Sequence, residues 1–168
     1  MPLWSHAYDF LVPSGLDSKS ASANVVAMPQ NHDSYTIAHI AIAVPELKDV
    51  LGKVESVLNL KPSGHVEEIP TQKVRTEFVS IGGVRFEFLE PTTPDSPISR
   101  FLEKRGSGIH HIAIFVEDLR AKLKELKSKG VPLIDEIPKI GADGYEIAFL
   151  HPKAMGGILV ELVQKSEV

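Results

Sequence analysis

Two histidines and two glutamates recur in matching company. His39 is the third residue of IAHIAIAV (Ile37–Val44), and His111 is the third residue of IHHIAIFV (Ile109–Val116), 72 positions later. Glu87 in VRFEFLE (Val84–Glu90) is echoed by Glu161 in ILVELVQ (Ile158–Gln164), 74 positions later. Imidazole nitrogen and carboxylate oxygen suit a borderline or hard divalent cation, and two of each leave room for water or substrate. The chain has no cysteine, so a metal could sit only on nitrogen and oxygen. The expected ligand set is therefore His39, Glu87, His111 and Glu161 around one divalent ion: Co, Zn, Mn or Ni, with Fe also compatible.

The neighbours of these residues support a shared site. Side chains alternate across a strand, which groups Ile37, His39, Ala41 and Ala43 on one side and Ala38, Ile40, Ile42 and Val44 on the other. In the second copy His111 and Ala113 line up alike, while His110 is expected to point with Ile112, Ile114 and Val116 toward a helix layer. Alanines beside a histidine leave the volume that a ligand needs and a close-packed core avoids. Glu87 lies between Phe86 and Phe88, and Glu161 between Val160 and Leu162. A carboxylate in such a place costs several kcal/mol unless a cation or good hydrogen bonds compensate it. Taken singly, a strand histidine is usually a hydrogen-bonded core or rim residue, and Glu87 could pair with Arg85 or Arg75. Equivalent placement of all four in two copies favours the metal. His65, His110 and His151 lack this symmetry and read as structural or surface residues, and His6 and His32 as solvated.

The elements that must carry these residues also repeat. A strand over Ile37–Val44 leads through Pro45 into a helix whose Leu47, Val50, Leu51, Val54, Val57 and Leu58 form one apolar stripe. Strands are expected over His65–Ile69, Val74–Ile81 and Val84–Glu90, the last two joined by a hairpin turn at Gly82-Gly83. A linker over 94–107 holds a short helix, with Asp95 or Ser96 as cap, Pro97 in its first turn, and Ile98, Phe101 and Leu102 facing inward. The order then recurs: strand Ile109–Val116, Asp118 as cap, a helix with Leu119, Leu123 and Leu126, and Gly130 as its stop. Strands follow near Leu133–Ile137, Tyr145–Leu150 and Ile158–Gln164. The expected fold is α+β, with two tandem βαβββ modules (about 35–93 and 108–168) forming a curved mixed sheet around the metal site.

Composition narrows the function. The chain has 168 residues, a net charge of −4 and no cysteine. The acidic balance argues against a nucleic-acid-binding face, which would need a basic patch. No apolar run approaches the ~20 residues of a membrane span, and a soluble, cytoplasmic protein is expected. Residues 1–34 read as an N-terminal extension, weakly ordered alone or docking through Trp4, Phe10 and Leu11. They lack arginine and a long apolar core, so neither a transit peptide nor a secretory signal is expected.

The segments IAHIAIAV, FEFLEP, GIHHIAIFV and GGILVELVQ resemble the vicinal oxygen chelate superfamily of glyoxalase I, extradiol dioxygenases, fosfomycin-resistance proteins and methylmalonyl-CoA epimerases. DSPISRFLEKRGSGIHHIAIFV, KIGADG and FLHPKAMGGILVELVQ are most similar to the epimerases, over about residues 35–165. The resemblance implies epimerisation at C2 of methylmalonyl-CoA through a metal-stabilised enolate, an acyl-CoA substrate and a homodimer. It places metal ligands on His39, His111 and Glu161, with Glu87 where some epimerases carry glutamine. It also makes Glu161 and Glu77 the candidate acid/base pair, although a salt bridge of Glu77 with Arg75 or Lys73 is the competing reading. Lys139, Lys153, Lys104 and Arg105 could meet coenzyme A phosphates or be ordinary solvated charges. A glyoxalase I-type lactoylglutathione lyase, an extradiol oxygenase and a non-catalytic binding or resistance protein stay open as alternatives.

Overall fold

The computed structural model describes residues 35–164, so the expectations for residues 1–34, including Trp4, His6, Phe10, Leu11 and His32, lie outside the described residues. The first module runs β1 (Thr36–Ala43), α1 (Leu47–Leu58), β2 (Glu67–Ile69), β3 (Val74–Ile81) and β4 (Val84–Pro91). After α2 (Pro97–Arg105), the second runs β5 (Gly108–Phe115), α3 (Leu119–Ser128), β6 (Lys139–Ile140), β7 (Glu146–Leu150) and β8 (Val160–Gln164). The duplicated βαβββ order and the α+β class agree with the sequence reading. No helix of the described residues is long and apolar enough to cross a membrane.

The strands form one curved mixed sheet in the order β2-β3-β4-β1-β5-β8-β7-β6. β1 and β5 pair antiparallel at its centre, β4 joins β1 in parallel, and β8 joins β5 in parallel. The two modules are thereby related by a local two-fold between β1 and β5. On one face, Leu47, Val50, Leu51 and Val54 of α1 pack on Val44, Val79 and Phe88. Leu119 and Leu123 of α3 pack in the same way on Val116, Ala148 and Leu162. Each such side chain removed from water contributes about 1.5–3 kcal/mol, so these two stripes hold the helices to the sheet. On the other face, Ile98, Phe101 and Leu102 of α2 cover only one end, over Ala41, Ala43 and Leu89. The rest of that inner face is left for the site.

The last residue of each repeated glutamate segment ties strand to helix. Glu46 makes no side-chain cap for α1; instead Glu90, at the end of β4, accepts a hydrogen bond from the Leu47 N–H at 2.8 Å. Gln164, at the end of β8, accepts one from the Leu119 N–H at 2.6 Å, in addition to the Asp118 cap, which accepts from Ala121 N–H. A helix N-terminus needs such acceptors for its free amides.

Three expectations are corrected. β1 and β5 each carry a bulge immediately before the candidate ligand: the register passes from Ile37↔Ile114 to His39↔Ala113, and from Ala41↔His111 to Ile42↔Ile109. The extra residues are Ala38 and His110. A bulge breaks strict alternation and re-aims side chains, so Ala38 lies buried with Ala113, Ile147 and Val163 on the inner face, while Ile37 is exposed. His110 likewise does not join the helix layer of α1 and α3; its ring meets those of His111 and Phe101. The third correction concerns Leu133–Ile137, which forms a single bridge, Leu133↔Leu150, rather than a strand. There the Ile134 and Asp135 amides both donate to the Phe149 carbonyl, and the buried Asp135 carboxylate accepts from Phe149 N–H. That compact turn and the proline at 138 defer pairing to Lys139–Ile140.

Removing either strand-to-helix tie tests the description. Glu90→Ala and Gln164→Ala should each lower stability by about 0.5–2 kcal/mol, whereas Glu90→Gln, which installs the acceptor of the other module, should recover most of the loss. Urea denaturation of the four proteins checks this.

Candidate metal centre

The four central strands bring the repeated residues together, one from each: Glu87 from β4, His39 from β1, His111 from β5 and Glu161 from β8. The pairing explains why there is room for them. His39 lies opposite Ala113 and Ala41 opposite His111 across β1 and β5; Glu87 lies beside Ala41 and Glu161 beside Ala113 in the parallel pairs. Each imidazole faces an alanine, and each carboxylate flanks one. Both alanines are completely buried, so their small size leaves space that only the site side chains enter.

All four side chains are buried, and their polar atoms converge. The Nε2 atoms of His39 and His111 are 3.2 Å apart. Glu87 Oε2 lies 3.1 Å from His39 Nε2 and 3.9 Å from His111 Nε2. Glu161 Oε2 lies 3.2 Å from His39 Nε2 and 3.4 Å from His111 Nε2. Donor atoms that share a small divalent ion at about 2.0–2.2 Å sit roughly 3.0–3.5 Å from one another, and four of these five separations lie in that range. His39, Glu87 and His111 form a group that could hold a metal ion, with ligand atoms all within 4.8 Å of one another. Glu161 Oε2 is buried with no hydrogen bond of its own and faces the two imidazole Nε2 atoms, so its charge depends on positive charge at the cluster, which a cation would supply.

The charges already lean toward a cation. Burial alone would push the His39 imidazole down, but contacts with the Glu161 and Glu87 carboxylates outweigh it and raise its pKa to about 9. Burial would likewise raise Glu161, yet the His111 and His39 contacts hold it down at about 2. In the metal-free protein one proton on the imidazoles therefore stands in for positive charge between the carboxylates. The arginines offered as partners for Glu87 are engaged elsewhere: Arg75 with Glu90 and Arg85 with Asp143.

Symmetry-related aromatic rings wall the cluster. Phe78, paired with Glu87, sets its edge against His39, and Phe149, paired with Glu161, does the same to His111. Beyond them the copies diverge. Thr76 Oγ1 donates to Glu87 Oε1 at 3.0 Å, whereas the matching position on β7, two residues before Phe149, is Ile147. Glu87 is thus held in place by a hydroxyl, while Glu161 has an apolar neighbour there. The KIGADG stretch noted in the sequence arches over this face: Asp143 accepts from Arg85 Nη2 at 2.8 Å and donates its own N–H to Glu67 at 3.0 Å, which joins the loop to β4 and β2. Arg85 also stacks 3.7 Å over the Phe78 ring. Gly141 lies so close to β7 that a Cβ there would come within 2.9 Å of Ile147.

Glu77 is not brought to the cluster. It alternates with Thr76 and Phe78, which face the site, and so shares the helix side of β3 with Val79; there its Oε1 accepts from the Gly64 N–H at 2.8 Å. Neither Arg75 nor Lys73 pairs with it; Lys73 meets Asp95. His65 is exposed, and His151 caps the turn that follows it by accepting from Lys153 N–H. Sequence reasoning passes over Thr76, Phe78, Phe149 and Asp143, and it names Arg85 only as a partner for Glu87 and His110 only as a structural or surface residue. Phe78 and Phe149 had a signal, since carrying the repeat one strand further aligns them.

Two cavities adjoin the cluster. One of about 30 Å³ is lined by the four candidate ligands together with Arg85 and Asp143, which is room for at least one water molecule or ion. The other, of about 710 Å³, shares Gln72, Leu89, His111 and Ile147 with the first. Its wall is mainly apolar, and Lys73, Arg100 and Lys139 add basic groups to it. The buried burden on His110, which lines this larger cavity, pushes that imidazole down to about 4, with His111 adding to the effect.

Comparison with known proteins agrees with this architecture. Residues 38–149 match the model of the Glyoxalase/Bleomycin resistance protein/Dioxygenase superfamily. The mitochondrial methylmalonyl-CoA epimerase of Homo sapiens is 42% identical over 127 residues, which cover 75% of this chain and 72% of that protein. The ethylmalonyl-CoA/methylmalonyl-CoA epimerase of Cereibacter sphaeroides is 40% identical over 128 residues, 75% of this chain and 95% of that one. A variant of the Streptomyces coelicolor methylmalonyl-CoA epimerase, solved with 2-nitronate-propionyl-CoA, superposes with a TM-score of 0.73 at 34% identity, covering 79% of this chain and 96% of that one. The duplicated fold, the converging His-Glu-His group and these similarities together place the chain in the glyoxalase/bleomycin resistance protein/dioxygenase superfamily, on the branch that includes the methylmalonyl-CoA epimerases.

Proposed function

We propose that this protein epimerises methylmalonyl-CoA at C2. The observation that carries the reading is the convergence of His39, Glu87, His111 and Glu161 beside a cavity of about 710 Å³, in a chain about 40% identical to methylmalonyl-CoA epimerases. The donor set fits one divalent ion of the Co, Zn, Mn or Ni kind, with His39 and His111 offering Nε2 and the two glutamates offering Oε2. When bound, such an ion would supply Lewis acidity toward thioester and carboxylate oxygens, offsetting the charge that develops when C2 loses its proton.

The protein's own groups divide the remaining work. Glu87, fixed by Thr76, serves as a ligand. Glu161, buried and without a hydrogen-bond partner at Oε2, is the carboxylate that takes the C2 proton. As the C–H bond breaks, its electron pair passes into the planar enolate, and a proton must return on the other face. Besides the ligands, the group lining the small cavity that can give a proton is Tyr145, just after the KIGADG turn, since the Asp143 carboxylate is ion-paired with Arg85. The larger cavity takes the acyl-CoA chain. Of the four basic residues considered from sequence only Lys139 lines it, and Lys73 and Arg100 join it there.

Solvent deuterium exchange at C2, followed by mass, tests the reaction. The wild type should exchange methylmalonyl-CoA and leave methylglyoxal with glutathione unconverted. Glu161→Gln should lose 10²- to 10⁴-fold in exchange, the usual range for a lost acid/base group, while Glu87→Gln, which keeps an oxygen ligand, should stay within about tenfold of wild type. Turnover of the glutathione hemithioacetal without exchange at C2 would overturn the reading.

Charge at the cavity wall gives a second check. Arg100→Glu should raise KM for methylmalonyl-CoA several-fold and leave KM for the corresponding pantetheine thioester, which lacks the nucleotide phosphates, nearly unchanged. Steady-state kinetics on both substrates decides it.

Proton and metal should also compete. His39 is raised to about 9 from an ordinary 6.5, so its contribution to the metal-free fold is complete below pH 6.5 and is lost as pH rises through 9. Glu161, held at about 2 against an ordinary 4.5, contributes above pH 4.5 and loses that contribution as pH falls through 2. Binding a divalent ion must release the His39 proton, so metal affinity should climb about tenfold per pH unit up to about pH 9. Thermal melts of chelated protein should show Tm falling between pH 6.5 and 9, and saturating zinc should remove that decline. A flat profile in the chelated protein would contradict the proton assignment.

A further inference from the structure

His110 touches a candidate ligand on the side away from the cluster. Its Nδ1 lies 2.9 Å from His111 Nδ1, and the two rings meet nearly at right angles, 5.2 Å apart. On its other flank, His110 lies edge-on to Phe101 of α2, with ring centroids 5.1 Å apart. Its Nδ1 is therefore positioned between the linker helix and the metal centre. The bulge alone does not call for an imidazole, because the first module forms the same bulge with Ala38.

We propose that His110 is a positioning residue for the metal centre, its Nδ1 accepting the Nδ1–H of His111 and so keeping the His111 Nε2 lone pair directed at the ion. A neutral imidazole carries one N–H and one lone pair. Two Nδ1 atoms at 2.9 Å require one to donate and the other to accept, and if His111 Nε2 ligates, its Nδ1 must carry the hydrogen. His110 Nδ1 is then the acceptor, and its own hydrogen sits on Nε2. Metal-ligating histidines generally need such a partner to fix tautomer and ring orientation, and loss of that partner typically weakens metal binding 10- to 100-fold. His39 arrives by the same kind of bulge with Ala38 before it, so no imidazole precedes it; the two modules treat their histidines differently at this point.

This role rests on the metal reading above, and the experiment separates the two. Cobalt(II) is titrated into wild type, His110→Ala and His110→Asn at one pH. Asparagine places Oδ1 where His110 has Nδ1 and keeps an acceptor, while alanine reproduces the residue that the first module uses at its own bulge and should fold. The expected result is cobalt affinity 10- to 100-fold weaker in His110→Ala and within a few-fold of wild type in His110→Asn. In the cobalt-loaded protein, the hyperfine-shifted exchangeable proton of His111 Nδ1 should persist in wild type and in His110→Asn, and disappear by solvent exchange in His110→Ala. Equal affinity and equal spectra in all three would overturn the role, as would His110→Asn behaving like His110→Ala. Failure of wild type to take up cobalt would overturn the metal reading itself and this role with it.

Discussion

Two carboxylates placed among apolar side chains on the inner face of a sheet set the terms for everything around them. Either one, stripped of water and left alone, would cost several kcal/mol, and the arginines nearest in sequence do not come to meet them: Arg75 serves Glu90 and Arg85 serves Asp143. The compensation comes from two imidazoles and one hydroxyl. The centre is therefore built to hold positive charge and to choose its carrier, a proton on His39 or a divalent ion in the same place.

Duplication supplies the pocket, and departures from duplication give it direction. The pairs Ala41 and Ala113, Phe78 and Phe149, and Glu90 and Gln164 do equivalent work in the two halves. A fully symmetric cluster would present the same groups from both sides. Here Thr76 fastens Glu87 while Ile147 leaves Glu161 without a matching hydroxyl, and His110 stands behind His111 where Ala38 stands before His39. The two carboxylates are therefore not equivalent, since Glu87 is fastened by a hydroxyl and Glu161 has none at the matching place, and each half supports a different member of its own His-Glu pair.

The convergence of His39, Glu87, His111 and Glu161 is legible in the sequence because each sits in a segment that recurs, so the repeat itself acts as a second observation. The faces were legible only up to the bulges. Counting by twos along β1 put Ala38 on the helix side and Ile37 on the inner side, and one inserted residue reversed both. The misplacement of Glu77 has a different cause. A two-residue turn at Gly82-Gly83 sets the pairing of β3 with β4, so Phe78 lies opposite Glu87 and Glu77 opposite Phe88; since Phe88 packs under α1, Glu77 must face that way too. That inference was available from the turn, and the epimerase resemblance obscured it. The break at Leu133–Ile137 was not available, since it depends on Asp135 reaching the backbone of β7, a contact no local pattern announces.

The two cavities separate recognition from chemistry. The small one, about 30 Å³, is walled by the four buried candidate ligands and by charged and aromatic groups, a setting in which electrostatic interactions are stronger than in bulk water. The large one is apolar enough to bury a chain and has basic groups in its wall, which suits binding energy drawn from parts of a substrate that do not react. Their common wall contains His111, so a chain bound in the large cavity would lie against one of the candidate ligands. The loop over 141–144 packs through Gly141 on Ile147, a residue shared by both cavities, and is tied to Arg85 and Glu67 of the first module, so both halves of the duplication contribute to the wall around the cluster.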